Sequence, residues 1–354
     1  MTIQTETDQT GVVQSSGSGA PTCLAEARRL VGPELARIVE RLDDANQIVV
    51  RYHLGWTDAD GAVADGVEGG KALRPALALL SARVAGAPAA VAVTAAAAVE
   101  LVHNFSLLHD DLMDGDTQRR HRPTAWTVFG RAAAVLAGDG LLALAAEVLL
   151  EDPSAAAATA TRSLLAATGQ LVAGQSADLQ FEDRMDVSLA ECLQMAAGKT
   201  GALLACSASI GAQLAQADPY VVARLGAFGA EVGLAFQFVD DLLGLWGDPA
   251  TTGKPVLADL RCRKKSLPIV HALTSDTAAG KRLDGLYSQP EPLTEDQLHE
   301  AAAAVEDAGS RAWAEAECDR LLAEALRHLE SIGQPGSAVD ELAGLAAFVV
   351  RRNS

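Results

Sequence analysis

Almost nothing in this chain alternates with a period of two residues. Apolar side chains instead recur three and four positions apart, from about Leu24 to Leu54, Ala72 to Val84, Ala89 to Met113, Ala125 to Leu150 and Ser154 to Leu179. The same spacing continues over Leu189 to Gln213, Pro219 to Leu245, Lys265 to Leu273, Glu295 to Leu329 and Val339 to Arg352. A repeat near 3.6 residues puts one face of a helix into a core and leaves no sheet to build. Composition agrees: alanine runs such as Ala95 to Ala98 and Ala155 to Ala158 favour helix, and aromatics, which mark strands, make up only 4%. The breaks carry turn chemistry, as in the Gly- and Asp-rich Gly55 to Gly70, Glu151-Asp152-Pro153 and Gly247-Asp248-Pro249. The pattern predicts an all-α, single-domain bundle of ten or more helices over residues 23–354.

At 354 residues the chain can bury a large core. Its 28 Lys and Arg against 46 Asp and Glu give a formal charge of −18, which excludes a surface built to gather nucleic-acid phosphates or anionic lipid. Any anionic ligand must meet a local basic cluster or a metal. The five cysteines stand singly, without a C-x-x-C pair, so reduced thiols and a cytoplasmic location are expected. Residues 1–22 contain Ser15-Ser16-Gly17-Ser18-Gly19 and no Lys or Arg, which predicts a disordered tail without a secretory leader. Pro88 and Glu100, and Asp139 and Glu147, interrupt the two most apolar stretches, and no transmembrane segment is expected.

The chemistry concentrates in His109-Asp110-Asp111-Leu112-Met113-Asp114. At about 100° per residue, Asp110 and Asp114 lie about 40° apart on a helix, and Asp111 falls in the same quadrant. Three carboxylates converging at one helix end repel one another, so a divalent cation is their natural occupant. A second acidic pair, Asp240-Asp241, shares a helix face with Gln237 in an otherwise apolar helix. Oxygen donors without His or Cys neighbours select Mg²⁺ or Mn²⁺, and Mg²⁺ held by few carboxylates shares its remaining sites with phosphates.

Cations suited to those phosphates are clustered despite their scarcity. Gly69-Gly70-Lys71-Ala72-Leu73-Arg74-Pro75 sets Lys71 and Arg74 three apart after a glycine turn, and Arg119-Arg120 follows the first acidic cluster. Lys199-Thr200-Gly201, Gly253-Lys254-Pro255 and Arg263-Lys264-Lys265 complete the set.

Taken in order, Gly-Gly-Lys-x-x-Arg-Pro, Glu100-x-x-His103, Asp110-Asp111-x-x-Asp114, Arg119-Arg120, Pro123-Thr124, Lys199-Thr200-Gly201, Phe236-Gln237-x-x-Asp240-Asp241, Gly253-Lys254-Pro255 and Asp259 resemble the trans-isoprenyl diphosphate synthases. The resemblance runs from about Leu24 to Arg352. It implies an all-helical fold around a deep apolar pocket, with both acidic motifs at its mouth. Asp110, Asp111 and Asp114 would bind Mg²⁺ bridging an allylic diphosphate, and Asp240 and Asp241 the remaining Mg²⁺. Arg119, Lys199 and Lys254, helped by Thr200 and Gln237, would hold the allylic diphosphate. Lys71, Arg74, His103 and Arg120 would hold isopentenyl diphosphate. The implied reaction ionises the allylic C–O bond, adds the homoallylic alkene to the carbocation and loses a proton. A homodimer is the expected assembly.

Two positions depart from the family pattern. Ala72 stands where a second cation usually follows Lys71, and Gly244 stands where the second acidic motif usually ends in Asp. Gly244 lies on the helix face of Gln237 and Asp241, so the missing carboxylate is expected to weaken metal binding, and Gly244→Asp to strengthen it unless another group such as Asp248 fills the role. The basic set argues for elongation over a terpene cyclase on the same scaffold, and the intact first acidic motif argues against a non-catalytic subunit. His109, His121, Trp126, Trp246 and Trp313 are read as hydrogen-bonding or packing residues. The chain also resembles prenyltransferases carried as cargo in actinobacterial encapsulin shells, which implies a loading role for the tail. In this family the residues five and four before the first Asp set product length. Phe105 and Ser106 occupy those positions, about 6 to 7.5 Å deeper along the helix, and imply a C20 product with C15 as its nearest competitor.

Overall fold

The computed structural model describes residues 21–64, 70–247, 257–333 and 336–351. The tail through residue 20, with its proposed loading role, lies outside them, as do Gly69, Asp248 and the Gly253-Lys254-Pro255 motif.

The helices are α1 (Thr22–Val39), α2 (Asp44–His53), α3 (Leu73–Val84) and, after a short 3₁₀ turn (Ala89–Ala92), α4 (Val93–Met113). A two-stranded hairpin, β1 (Gln118–Arg119) and β2 (Arg122–Pro123), leads into α5 (Ala125–Phe129), α6 (Arg131–Leu150) and α7 (Ala155–Glu182). Next come α8 (Leu189–Ala196), a π-helical turn (Ala197–Gly201), α9 (Ala202–Leu214) and α10 (Pro219–Trp246). The chain closes with α11 (Ala258–Arg261), α12 (Leu267–Thr274), α13 (Ala278–Tyr287), α14 (Glu295–Asp307), α15 (Ser310–Ser331) and α16 (Ser337–Val350). The all-α expectation holds.

Besides Leu189 to Gln213, where the π-helical turn joins α8 to α9, three long periodic stretches prove to be pairs of helices. The first breaks after Val39, where Asp43 caps α2 by accepting from the amides of Ala45 and Asn46. The other two break at Gly130 (φ 90°) and Gly309 (φ 76°), glycines in a backbone region unfavourable to other residues. Helices α11 and α13 fall outside the periodic stretches, and the hairpin strands are too short to alternate.

Small residues let the central helices approach closely. Ala95 to Val99 of α4 are wholly buried between α1, α3 and α6. On α10, a side chain at Gly233 would meet the α-carbon of Gly201 at 2.7 Å, which shows how near that backbone lies. Helix α10 therefore runs through the middle of the bundle, flanked by α9 and α15. A satellite core of Leu245, Leu260, Ile269, Leu283, Tyr287 and Leu298 joins its C-terminal end to α11–α14.

By length and composition, Ala89–Met113, Arg131–Leu150 and Pro219–Trp246 could each cross a membrane, so the charges expected to interrupt such stretches do not. In this fold their apolar faces build the bundle, with α4 packed on α6 and α10 on α9.

Candidate active site

Asp110 and Asp111 occupy the last turn of α4, and Asp114 caps it. Asp111 is buried, with one oxygen taking Nε and Nη2 of Arg119 at 2.7 and 2.6 Å and the other buried without a partner. Burial, reinforced by Asp114 and Asp111 and opposed by Lys199 and Arg119, raises the Asp110 carboxyl to about 6. Burial likewise carries Asp111 to about 6, against the pull of Arg119. Asp114 accepts a hydrogen bond from Gln175 of α7 at 3.2 Å, and the Gln175 carbonyl oxygen is itself buried without a partner.

Lys199 reaches this cluster through the π-helical turn, which passes so close to α7 that a side chain at Gly174 would overlap its backbone. Its ammonium pairs with Asp178 of α7 at 2.5 Å. The next residue, Thr200, donates to Gln237 at 2.7 Å, and Gln237 donates to Asp241 at 2.8 Å. The second Asp241 oxygen accepts the amide of Leu267 at 2.8 Å. Asp241 is thus gripped from α10 and from the start of α12, and burial raises its carboxyl to about 7. Thr200 and Gln237, expected to touch a diphosphate, have these polar atoms engaged in orienting Asp241. That is the supporting role common beside metal ligands.

Asp240 faces another way. It lines a cavity of about 650 Å³ together with Lys71, Arg74, His103 and Arg120, the predicted diphosphate set. Arg28 and His121 add polar groups, while Leu24, Phe236 and Phe348 supply apolar wall. Gly70 is placed by contact: a side chain there would meet Arg120 at 3.2 Å and Glu100 at 3.6 Å. The Arg74 Nε is buried without a partner. His103 lies well below the ordinary imidazole range because it is buried, with Arg74, Arg120 and Arg119 nearby, so it serves as a neutral hydrogen-bonding group. Burial pushes the Glu100 carboxyl up against the pull of Arg74.

The hairpin joins the two halves of the site. Its turn residues Arg120 (φ 51°) and His121 (φ 60°) are both left-handed without being glycine, a conformation that persists only where the surroundings enforce it. The enforcement is visible: Arg122 donates to the carbonyls of Tyr52 and Thr57, Tyr52 donates to that of Pro123, and Thr124 and Trp126 donate to that of Asp116. Trp126 is therefore a strut, as expected. His109 also has a structural place, with Nε2 3.0 Å from the Val135 carbonyl over the space left by Gly138.

The sequence reading missed Gln175, Asp178 and His53, and left Lys264 out of the site. Burial beside Arg119 and Arg120 lowers His53 to about 3, so it is neutral. Despite the burial that opposes its charge, Lys264 is held above its usual range by Asp259, Asp178, Asp241 and Asp114, carboxylates from four helices. Only a Q-x-x-D pattern on α7 hinted at the first two. Phe105 packs edge-on against His109 at 4.8 Å, and Ser106 donates to the His103 carbonyl; neither belongs to the lining of the cationic cavity.

Among the described residues, no three carboxylate or imidazole groups stand close enough to enclose a single ion. The unpaired, buried oxygen of Asp111 and the carboxyls raised by burial nevertheless fit a hard cation bound through one or two carboxylates, its other positions taken by phosphate. Asp110, Asp111 and Asp114 would hold such cations on one side, and Asp240 and Asp241 the remaining one on the other.

The Polyprenyl synthetase family model matches residues 60–305. This chain belongs to that family. It is 47% identical over 336 residues to the (2E,6E)-farnesyl diphosphate synthase of Mycobacterium tuberculosis, covering 94% of this chain and 93% of the relative. It is 42% identical over 332 residues to the geranylgeranyl diphosphate synthase of the same organism, covering 93% of each. The crystal structure of a polyprenyl synthetase from Streptomyces coelicolor A3(2) superposes with a TM-score of 0.89 at 50% identity, covering 93% of this chain and 99% of that one.

Proposed function

We propose that this polyprenyl synthetase is a cytoplasmic, Mg²⁺-dependent enzyme that joins isopentenyl diphosphate to an allylic diphosphate. Its short-chain product is C20, with C15 the nearest competitor. One observation carries the reading: Asp240 of the second acidic motif lines the same cavity as Lys71, Arg74 and Arg120, so a cationic diphosphate pocket abuts the acidic pair. The relatives, one named for a C15 and one for a C20 product, support both lengths.

In this reading Lys71, Arg74 and Arg120 bind the diphosphate of the isopentenyl substrate, and neutral His103 hydrogen-bonds it. Arg119 and Lys199, held near the first carboxylate cluster by Asp111 and Asp178, turn their charge to the allylic diphosphate as it gains negative charge on departure. Mg²⁺, when bound, neutralises the leaving diphosphate. Phe236 and the other apolar walls keep water from the carbocation until the alkene attacks. Lys254 belongs to the allylic set by its motif alone.

A second copy of the chain is the partner that the surface supports. Leu136 and Leu150 of α6 and Leu165 and Val172 of α7 are large apolar residues left 47 to 58% exposed on adjacent helices. Incubation with Mg²⁺, isopentenyl diphosphate and each allylic diphosphate, followed by dephosphorylation and chromatography, tests the reaction. Elongated alcohols support it; cyclic hydrocarbons or unchanged substrates overturn it.

A further inference from the structure

Helix α1 turns a buried face that includes Leu24, Ala27 and Val31 to α3 and α4. Arg28 follows Leu24 by one turn and stands at the edge of that face, where it lines the cavity shared by Lys71, Arg74 and Arg120. Its Nε donates to the carbonyl of Gly70 at 3.4 Å. The α-carbon of the same glycine faces Arg120: a side chain built there would meet the Arg120 Nη2 at 3.2 Å. Two guanidinium groups, one from α1 and one from the hairpin, therefore meet at the residue that precedes Lys71. Among the described residues Arg28 forms no salt bridge, whereas Arg37 of the same helix is held by Glu34 at 2.8 Å and Arg83 of α3 by Glu341 at 2.8 Å. Cations crowded around one cavity repel one another, and a bound anion relieves the repulsion. The loop after Gly70 leaves part of this wall without charge, since Ala72 lines the cavity with only a methyl group.

We infer that Arg28 is a further binding residue for isopentenyl diphosphate: from α1 it supplies to this wall of the cavity the charge that Ala72 does not. The inference rests on the prenyltransferase reading for the identity of the ligand, but the convergence of Arg28, Lys71, Arg74 and Arg120 stands without it. Of the five donors of the guanidinium, the one on Nε is engaged by Gly70, and the fork of Nη1 and Nη2 is left for phosphate oxygens. Anchored through Nε, the group is placed before the ligand arrives and loses little freedom when it binds. Neither Arg119 nor Lys199 lines this cavity, so the loss of Arg28 should be felt by one substrate and not by the allylic one.

Calorimetric titration of the metal-free full chain with isopentenyl diphosphate reads the site without turnover. Arg28→Gln should weaken binding about tenfold. Arg28→Lys, which keeps the charge and loses the fork, should weaken it about threefold. Ala72→Arg added to Arg28→Gln should recover binding to within about threefold of wild type, because charge returns to the same wall from the loop. Should Ala72→Arg disturb folding, as circular dichroism would reveal, the order wild type, Arg28→Lys, Arg28→Gln decides. In the Mg²⁺-supported assay Arg28→Gln should raise the KM for isopentenyl diphosphate by the same factor, with kcat and the allylic KM within about twofold. Unchanged binding in Arg28→Gln overturns the inference, as does a folded double variant that stays at the Arg28→Gln level. An equal rise in both KM values also overturns it, since that marks a packing role for α1. If binding weakens as expected but the wild type makes no elongated product, the site stands and the prenyltransferase reading fails.

Discussion

The two acidic clusters are built to opposite rules. At the end of α4, Asp111 has one oxygen paired with Arg119 and the other buried with no partner. On α10, both oxygens of Asp241 are satisfied, by Gln237 and by the amide of Leu267. An unsatisfied buried acceptor costs about 1–3 kcal/mol, whereas a fully bonded one is fixed in place. The first cluster thus keeps binding capacity in reserve, and the second holds its shape in advance. A reaction that must grip a diphosphate as it leaves needs both properties, and this chain divides them between helices.

The sharpest way to break that contrast is at the reserve. Asp111→Ala should lower kcat by about 100- to 1000-fold, the scale for losing one group that stabilises developing charge. Its thermal midpoint should change little, since an orphaned oxygen goes with the paired one. A steady-state assay beside a melting curve separates the two, and a variant that melts early with its rate intact would contradict the assignment.

At the pre-shaped cluster the pattern should invert. Gln237→Leu removes the link from Thr200 to Asp241, and both stability and metal affinity should fall, the affinity by about 10- to 100-fold. Calorimetric titration of Mg²⁺ with pyrophosphate present would measure it. Unchanged affinity would mean that the Leu267 amide alone orients Asp241.

A pH series sharpens the comparison further. Asp110 and Asp111 at about 6 and Asp241 at about 7 all lie above their unfolded value near 3.8. Over that interval the folded chain holds more protons than the unfolded one. The stability these groups supply is therefore complete below pH about 4 and declines as pH rises through 6 and 7. The metal-free melting temperature should drop across that window relative to a variant carrying Asp110→Asn, Asp111→Asn and Asp241→Asn, a difference that cancels the opposite slope from buried, neutral His53 and His103. Mg²⁺ with pyrophosphate should flatten the wild-type profile, because cation binding favours the deprotonated carboxylates. A difference that grows in the wild type's favour from pH 5 to 8 would refute the burial argument.

The smallest expected effect on rate is at Ser106. Ser106→Phe should shift product from C20 toward C15 with kcat changed by less than about tenfold, read by chromatography of the dephosphorylated alcohols. Phe105→Ala, which removes a ring packed on His109, should instead cost about 3–5 kcal/mol of stability beside any lengthening of product. An unchanged product distribution in both places the length determinant on another helix.

Helix-forming stretches and the order of charged motifs were legible because each is a local property. Asp110, Asp111 and Asp114 follow from helix geometry alone, and so does the shared face of Gln237 and Asp241. The breaks at Gly130 and Gly309 were less visible, since an apolar stripe continues across them and only the backbone angle shows the turn. What no single segment could disclose was which partner each side chain finds. That Thr200 serves Gln237, that Asp178 receives Lys199 and that Asp259 fills the space over Gly244 all depend on contacts between helices. His53 reached the site without any motif, through the packing of α2 against the hairpin region.

The hairpin turn carries one more consequence. Arg119 holds Asp111 on one side, and Arg120, its immediate neighbour, reaches Gly70 and the cavity on the other. On the proposed function, one contact to each diphosphate comes from adjacent residues whose α-carbons stand about 3.8 Å apart. A change in the hairpin backbone would therefore disturb both diphosphate sites at once, whereas a change in α3 or α7 would reach one.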